Sequence, residues 1–152
     1  MLKNELTIDF TSTAYIVYKN KVLLILHKQL NLWLPIGGHI EPKEDPEQAV
    51  LREIKEECGL KVEILSSKPK FRKMDTKFLF TPNFLDIHNI SKNHKHICFN
   101  YFAKAKSDKV KLNKKEHLDI HWFSKSDLDN KKYLSKNNVI FLAKQALKTL
   151  KN

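Results

Sequence analysis

All three glycines of the chain fall within one short stretch, at Gly37, Gly38 and Gly59. That stretch, GGHIEPKEDPEQAVLREIKEECGL over residues 37–60, also holds seven of the 17 acidic residues: Glu41, Glu44, Asp45, Glu47, Glu53, Glu56 and Glu57. The chain as a whole is strongly basic, with a formal net charge of +11. Backbone freedom and negative charge are thus placed together where the surrounding sequence has neither. The segment carries its own helix signal as well. Asp45 reads as an N-cap, Pro46 stands at the first helical position, Gln48 completes a capping box, and Gly59 ends the helix.

On a wheel of 100° per residue, Val50, Leu51, Ile54 and Cys58 form the apolar stripe. Glu53, Glu56 and Glu57 fall together on a neighbouring face, at i, i+3 and i+4. Like charges at that spacing repel by about 0.2–0.5 kcal/mol per pair when solvated, and they raise each other's pKa unless a cation intervenes. A hard divalent ion reverses the penalty. Mg²⁺ takes one or two carboxylates and keeps waters and substrate phosphates as its remaining ligands. Arg52 stands ready to pair with Glu53 or Glu44. Taken alone, three glutamates on a helix face are usually a solvated surface.

The remainder reads as a layered α/β or α+β chain. Residues 11–18 and 21–27 are β-rich runs joined by Lys19-Asn20, hence a hairpin. Residues 62–65, 97–103 and 120–123 are strand candidates. Residues 68–94, punctuated by Pro69, Pro82 and Asn83, read as loops with one short edge strand. A capped turn runs from Ser124 to Asp127, and residues 138–150 form an amphipathic helix. No repeat or linker divides the 152 residues, so 1–152 is read as one domain.

Composition narrows the class. The chain is 41% apolar and 30% charged, which suits a globular protein rather than a disordered one. No apolar run approaches the roughly 18 residues that cross a bilayer. Residues 1–10 mix Lys3, Glu5 and Asp9 among apolar residues, unlike a signal peptide. Cys58 and Cys98 lack metal-ligand spacing and read as reduced thiols, so the expected location is cytoplasmic. The basic charge suits an anionic partner. Nearly all of it is lysine, Arg52 and Arg72 being the only arginines, whereas nucleic-acid readers lean on arginine's fork. A small anionic substrate is favoured, with nucleic acid kept as the alternative.

Residues 38–60 resemble, position for position, the signature of the Nudix hydrolases, the MutT-like superfamily. The signature asks for a glycine, five residues, a glutamate, seven residues, then Arg-Glu-apolar-any-Glu-Glu-any-Gly-apolar. Gly38, Glu44, Arg52, Glu53, Ile54, Glu56, Glu57, Gly59 and Leu60 fill all nine positions. At about 6% per residue type, seven fixed residues match by chance in roughly one window in 10⁸, so the resemblance is specific. Trp33-Leu34-Pro35, the early hairpin and residues 116–122 extend it loosely. The familiar Pro-Gly-Gly before the box is here Pro35-Ile36-Gly37-Gly38, with Ile36 interposed.

The resemblance implies an α/β/α sandwich around a mixed sheet, with the box as a loop-helix-loop. It implies Mg²⁺- or Mn²⁺-dependent hydrolysis of a phosphoanhydride bond in a nucleoside diphosphate linked to another group. Carried over, Glu53, Glu56 and Glu57 hold metal, and Glu53 also orients or deprotonates the attacking water. Arg52 positions Glu53, Glu44 braces the loop, and the Gly37 carbonyl is a candidate further ligand. Family members often add a later glutamate; Glu116 is the first choice and Asp119 the second. His94, His96 and Tyr101, with His88 behind them, are candidate substrate contacts. Homodimers are common in the family. The rival functions are a pyrophosphohydrolase of RNA 5′ ends and a non-catalytic nucleotide sensor, for which a degraded box is expected.

Overall fold

The opening hairpin forms as its sequence asks. In the computed structural model, which describes residues 5–73, 75–133 and 135–151, β1 (Thr7–Tyr18) turns back into β2 (Lys21–His27). The turn residues Lys19 and Asn20 both take positive φ, 44° and 59°. Positive φ at both positions is what a two-residue hairpin turn needs to match the twist of its strands. Residues 1–4, part of the stretch read as unlike a signal peptide, lie outside the described residues.

The chain continues through β3 (Trp33–Leu34), β4 (Ile36–His39), α1 (Pro46–Glu57), β5 (Val62–Ile64), β6 (Arg72–Lys73) and β7 (Thr76–Lys77). It then runs through β8 (Phe84–Ser91), β9 (His94–Ala105), β10 (His117–Phe123), α2 (Lys125–Leu128) and α3 (Asn137–Thr149). The main sheet has the order β10-β2-β1-β9-β5, with β3 paired to β2, β4 to β1 and β8 to β9. It is mixed: β1 and β9 are parallel, while the other pairings are antiparallel.

Alternation along the strands builds two cores. Ala14, Ile16, Leu23, Ile25, Ile36, Tyr101 and Ala103 face Val50, Ile54 and Cys58 of α1. Tyr15, Val17, Val22, Leu24, Phe102 and Phe123 face Leu128 of α2 and Val139, Leu142, Ala143, Ala146 and Leu147 of α3. The result is the expected α/β/α sandwich with a mixed sheet. No described helix is long and apolar enough to cross a membrane.

Two expectations are corrected. Leu51, placed in the core stripe of α1, is 44% exposed. The buried arc centres on Val50 and Ile54 and reaches round to Glu57, which leaves Leu51 at its margin. Residues 68–94, read as loops with one short edge strand, contain the small β6–β7 hairpin and the eight-residue strand β8. In β8 the apolar residues Leu85 and Ile87 are exposed while Asp86 and His88 turn inward. Reading apolar residues as the buried face hides such a strand.

Candidate active site

Two anchors hold the carboxylate helix at its start. The Asp45 side chain accepts from the Gln48 amide while the Gln48 side chain accepts from the Asp45 amide, the capping box expected from sequence. The Ser12 hydroxyl donates to the Pro46 carbonyl at 2.7 Å, tying the first turn to β1. Glu47 is buried and accepts two bonds from the Lys68 ammonium and one from the Phe80 amide, fastening segment 68–80 to the helix.

Arg52 organises the exposed side of the cluster. Its Nε and Nη2 grip both oxygens of Glu44 at 2.6 and 3.1 Å. Its Nη1 donates to Glu53 at 2.8 Å and to Glu56 at 3.2 Å, and Nη2 reaches the His39 carbonyl at 3.2 Å. The hydrogen bond to Glu44, ahead of those to Glu53 and Glu56, raises the guanidinium pKa above its already high value. The bond from Arg52 in turn holds Glu44 below the usual carboxylate range. A planar fork serves two carboxylates and a carbonyl together, which an ammonium does not.

Glu53 sits differently. Its side chain is 12% exposed, and burial pushes its pKa up, against the Arg52 bond, with the Glu57 and Glu56 charges adding to the rise. Gly38 explains how the carboxylate is accommodated: a Cβ there would lie 2.5 Å from Glu53 Oε1.

Glu57 is 3% exposed and turned inward. Its Oε2 accepts from the Gly37 amide at 2.9 Å and its Oε1 lies 2.7 Å from His117 Nε2. With His117 Nε2–H as the donor, Nδ1 of the same ring is buried without a hydrogen-bond partner. Glu116 approaches this pair; Glu57, Glu116 and His117 each offer one ligand atom, all within 4.8 Å of one another. Glu53, Glu56 and Glu57 do not gather that tightly. Arg52 stands between the first two, and the third points toward β10. Asp119, the second choice for a later acid, is exposed and bonded to the adjacent Ile120 amide.

Across β4 from this helix lies a cleft of about 260 Å³ on the α3 side of the sheet, with Gly37, Gly38 and His39 in its wall. Its floor is a polar chain. The Thr13 hydroxyl donates to Asn100 Oδ1 at 2.9 Å, Asn100 Nδ2 donates to Asp86 at 2.7 Å, and the other Asp86 oxygen lies 2.6 Å from His88 Nδ1. Strand register makes this row, because Thr13 pairs with Asn100, and Asp86 and His88 pair with Cys98 and His96. Ile36, the residue interposed before the glycines, is fully buried beneath α1. It anchors β4 on one side and leaves Gly37 facing the other.

Of the three substrate candidates, His96 lines this cleft and His94 lies beside it against Asp9. Tyr101 does neither. It is 1% exposed in the core under α1, with its hydroxyl donating to the Phe80 carbonyl. The odd-numbered position puts it on the opposite face from His94, His96 and Asn100. Sequence reading missed His117 and the Thr13–Asn100–Asp86 row. The alternation of β9 could have found Asn100; nothing in the sequence marks His117, which a register shift between His117 and Asp119 delivers.

The chain resembles known proteins in both sequence and fold. The family model described as "NUDIX domain" matches residues 10–145. A crystal structure of a hydrolase of the NUDIX family from Clostridium perfringens superposes with a TM-score of 0.80 at 36% identity, covering 96% of this chain and 100% of that one. A MutT NUDIX hydrolase from Burkholderia pseudomallei shares the fold at a TM-score of 0.65 and 22% identity, covering 95% of this chain and 98% of that one. A protein named putative 8-oxo-dGTP diphosphatase, from Bacillus subtilis (strain 168), is 33% identical over 79 residues, 47% of this chain and 52% of its own. One named probable DHNTP pyrophosphohydrolase, from Lactococcus lactis subsp. cremoris (strain MG1363), is 28% identical over 106 residues, 69% of this chain and 59% of its own. The chain thus spans little more than half the length of these curated relatives.

Proposed function

This chain belongs to the NUDIX family, and from that premise we propose that it is a divalent-metal-dependent hydrolase of a small nucleotide. The bond cleaved is a phosphoanhydride, in a nucleoside diphosphate that carries a further group. One observation carries the reading: Gly37 and Gly38 of β4, bare of side chains, line a polar cleft and also meet the carboxylates of Glu57 and Glu53 on α1. A base lying over Thr13, Asn100 and Asp86 would send its phosphates across the glycines toward Glu53.

The donor set fits Mg²⁺ or Mn²⁺. Glu53, Glu56, Glu57 and Glu116 offer hard carboxylate oxygens, with the Gly37 carbonyl as a further candidate. The close approach of Glu116 to Glu57 supports that set. An ion held there supplies charge neutralisation at phosphate oxygens and a more acidic water. The protein's own groups do the positioning. Glu53 orients the attacking water and takes its proton, and Arg52 fixes Glu53 while Glu44 fixes Arg52. The Gly37 amide and His117 hold Glu57 in one rotamer. Catalysis of phosphoryl transfer rests on such positioning together with electrostatic stabilisation. Two buried free thiols, Cys58 and Cys98, accord with work in the reducing cytoplasm.

The test is a product-release screen with Mg²⁺ and with Mn²⁺, following phosphate and pyrophosphate from nucleoside triphosphates and, by chromatography, the nucleoside monophosphate from nucleotide sugars and dinucleotides. The names of the two relatives put 8-oxo-dGTP and DHNTP first. No release from any compound with either ion would refute the enzymatic reading and leave the nucleotide sensor.

One observation favours the polymer alternative. Lys68, Lys70, Lys73 and Lys77 surround a depression of about 880 Å³ at the β6–β7 hairpin, with Phe71 and Phe78 beside them. A 5′-triphosphorylated RNA in the same screen decides. Turnover that exceeds the mononucleotides and falls steeply with salt would assign the substrate to RNA, since several phosphate contacts release counterions.

A further inference from the structure

Four of the chain's seven histidines, His39, His88, His94 and His96, meet in one cluster beside the cleft. Strand register gathers them. His94 and His96 are two apart on β9 and project from one face. Asp9 on β1 is the Cα partner of His96, and two residues further along β1, Thr11 is the partner of His39 on β4. Three neighbouring strands therefore aim Asp9, His39, His94 and His96 at one point. Asp9 Oδ2 lies 2.8 Å from His94 Nε2 and 3.6 Å from His39 Nε2. The His96 ring stands 4.8 Å, centroid to centroid, from those of both His39 and His94. Asp9, His94 and His96 each offer a ligand atom, all three within 4.8 Å of one another.

An aspartate bonded to a histidine is ordinary. What sets this cluster apart is His96, whose Nε2 is buried with no hydrogen-bond partner while other imidazoles pack around it. A buried polar nitrogen left unpaired loses its water without gaining a partner, a net cost to the fold. An unpaired ring nitrogen, facing two more imidazoles and a carboxylate, makes a donor set suited to a cation.

We propose that Asp9, His39, His94 and His96 form a site for a borderline divalent transition metal such as Zn²⁺. Three imidazole nitrogens and one carboxylate oxygen match its tetrahedral preference, with ligand bonds of about 2.0–2.2 Å. Mg²⁺, which prefers oxygen and octahedral geometry, has little claim on such a set. The chain then carries two metal sites of opposite taste, hard carboxylates on α1 and imidazoles beside the cleft. His39 is the mobile ligand, its side chain 56% exposed and able to swing in. Because His39 follows Gly38 on β4, the ion pins the cleft wall to β1 and β9. This site does not depend on the hydrolase reading.

Co²⁺, a visible reporter for Zn²⁺ sites, tests the proposal on the full chain in millimolar Mg²⁺. The wild-type protein should take up one equivalent with the intense d–d bands of tetrahedral coordination, and one equivalent of Zn²⁺ should abolish them. His94→Ala and His96→Ala should lose the bands and bind Zn²⁺ about a hundredfold more weakly, at or beyond the upper end of what loss of an outer-sphere contact does. Glu53→Gln and Glu56→Gln should keep them. If either histidine variant fails to fold by circular dichroism, His39→Ala, at an exposed position, gives the same readout. A weak octahedral spectrum in the wild type, or tetrahedral bands that survive the histidine changes, overturns the proposal.

Discussion

Replacing Gly38 by alanine separates the position of one carboxylate from the integrity of the fold. The added Cβ would lie 2.5 Å from Glu53 Oε1 and 3.0 Å from its carboxyl carbon, where ordinary contact begins at 3.4 Å. Something must therefore move by about 0.9 Å, and the obstacle is the far end of a flexible side chain. Gly38 has no positive φ, so alanine brings no backbone strain. Stability should change by less than about 1 kcal/mol. Turnover should not escape, because a misplacement near 1 Å in a positioned group costs about 100-fold, or about 2.7 kcal/mol of transition-state stabilisation. The loss should appear in kcat at saturating Mg²⁺ with the thermal midpoint nearly unchanged, read by phosphate release and circular dichroism on one preparation. Gly37→Ala is the contrast. Its φ is +147° and a Cβ there would overlap the Ser12 carbonyl oxygen and the Thr13 backbone, which cannot swing aside. That variant should fold poorly. A Gly38→Ala enzyme within about threefold of wild-type kcat would refute the claim that Glu53 must lie where it does.

Four further outcomes are expected. Glu53→Gln and Glu57→Gln should each lower turnover by orders of magnitude; Glu57→Gln should also lose about 1–2 kcal/mol in denaturant titration, since the Gly37 N–H and the buried His117 lose a charged acceptor. Arg52→Lys should cut kcat with little change in KM, because one ammonium cannot serve Glu44, Glu53 and the His39 carbonyl at once; unchanged kinetics would remove Arg52 from the positioning chain. Ile54→Ala, at a position 2% exposed, should destabilise by about 2–5 kcal/mol in urea, while Leu51→Ala should stay within about 0.5 kcal/mol. Ser124→Ala should lose the α2 capping box, about 1 kcal/mol at neutral pH. Bonds from Ser124 depress the Asp127 pKa, so the stability tied to that charge is present above the ordinary aspartate value near 4 and lost as pH falls through the lowered one. The gap between Ser124→Ala and wild type should therefore narrow on acidification; a pH-independent gap would deny the ionised cap its role.

Sequence revealed elements where each local signal agreed with the tertiary demand. The α1 capping box, the hairpin at Lys19-Asn20 and the apolar face of α3 are short-range matters, and all three stand as read. Strand β8 escaped because its buried face is polar: Asp86 and His88 point into a cleft that only β9 and β1, distant in the chain, complete. Glu57 was legible as an acid on the helix but not as a buried one. Its burial depends on His117, 60 residues away, and on a register shift that no local pattern announces. Tyr101 was misplaced for the opposite reason. The period of two that joined His94 to His96 also assigns Tyr101 to the other face.

At residues 37 and 38 only peptide backbone stands between the cleft and the carboxylates that meet it from α1. One surface of that ribbon touches whatever occupies the cleft, and the other holds Glu53 and Glu57 in place. With no side chain to absorb a push, a ligand that displaces the ribbon by a fraction of an ångström displaces the acids by the same amount. Under the proposed function, discrimination between a well-seated and a badly seated nucleotide would be a mechanical matter, transmitted through the amides of residues 37 and 38.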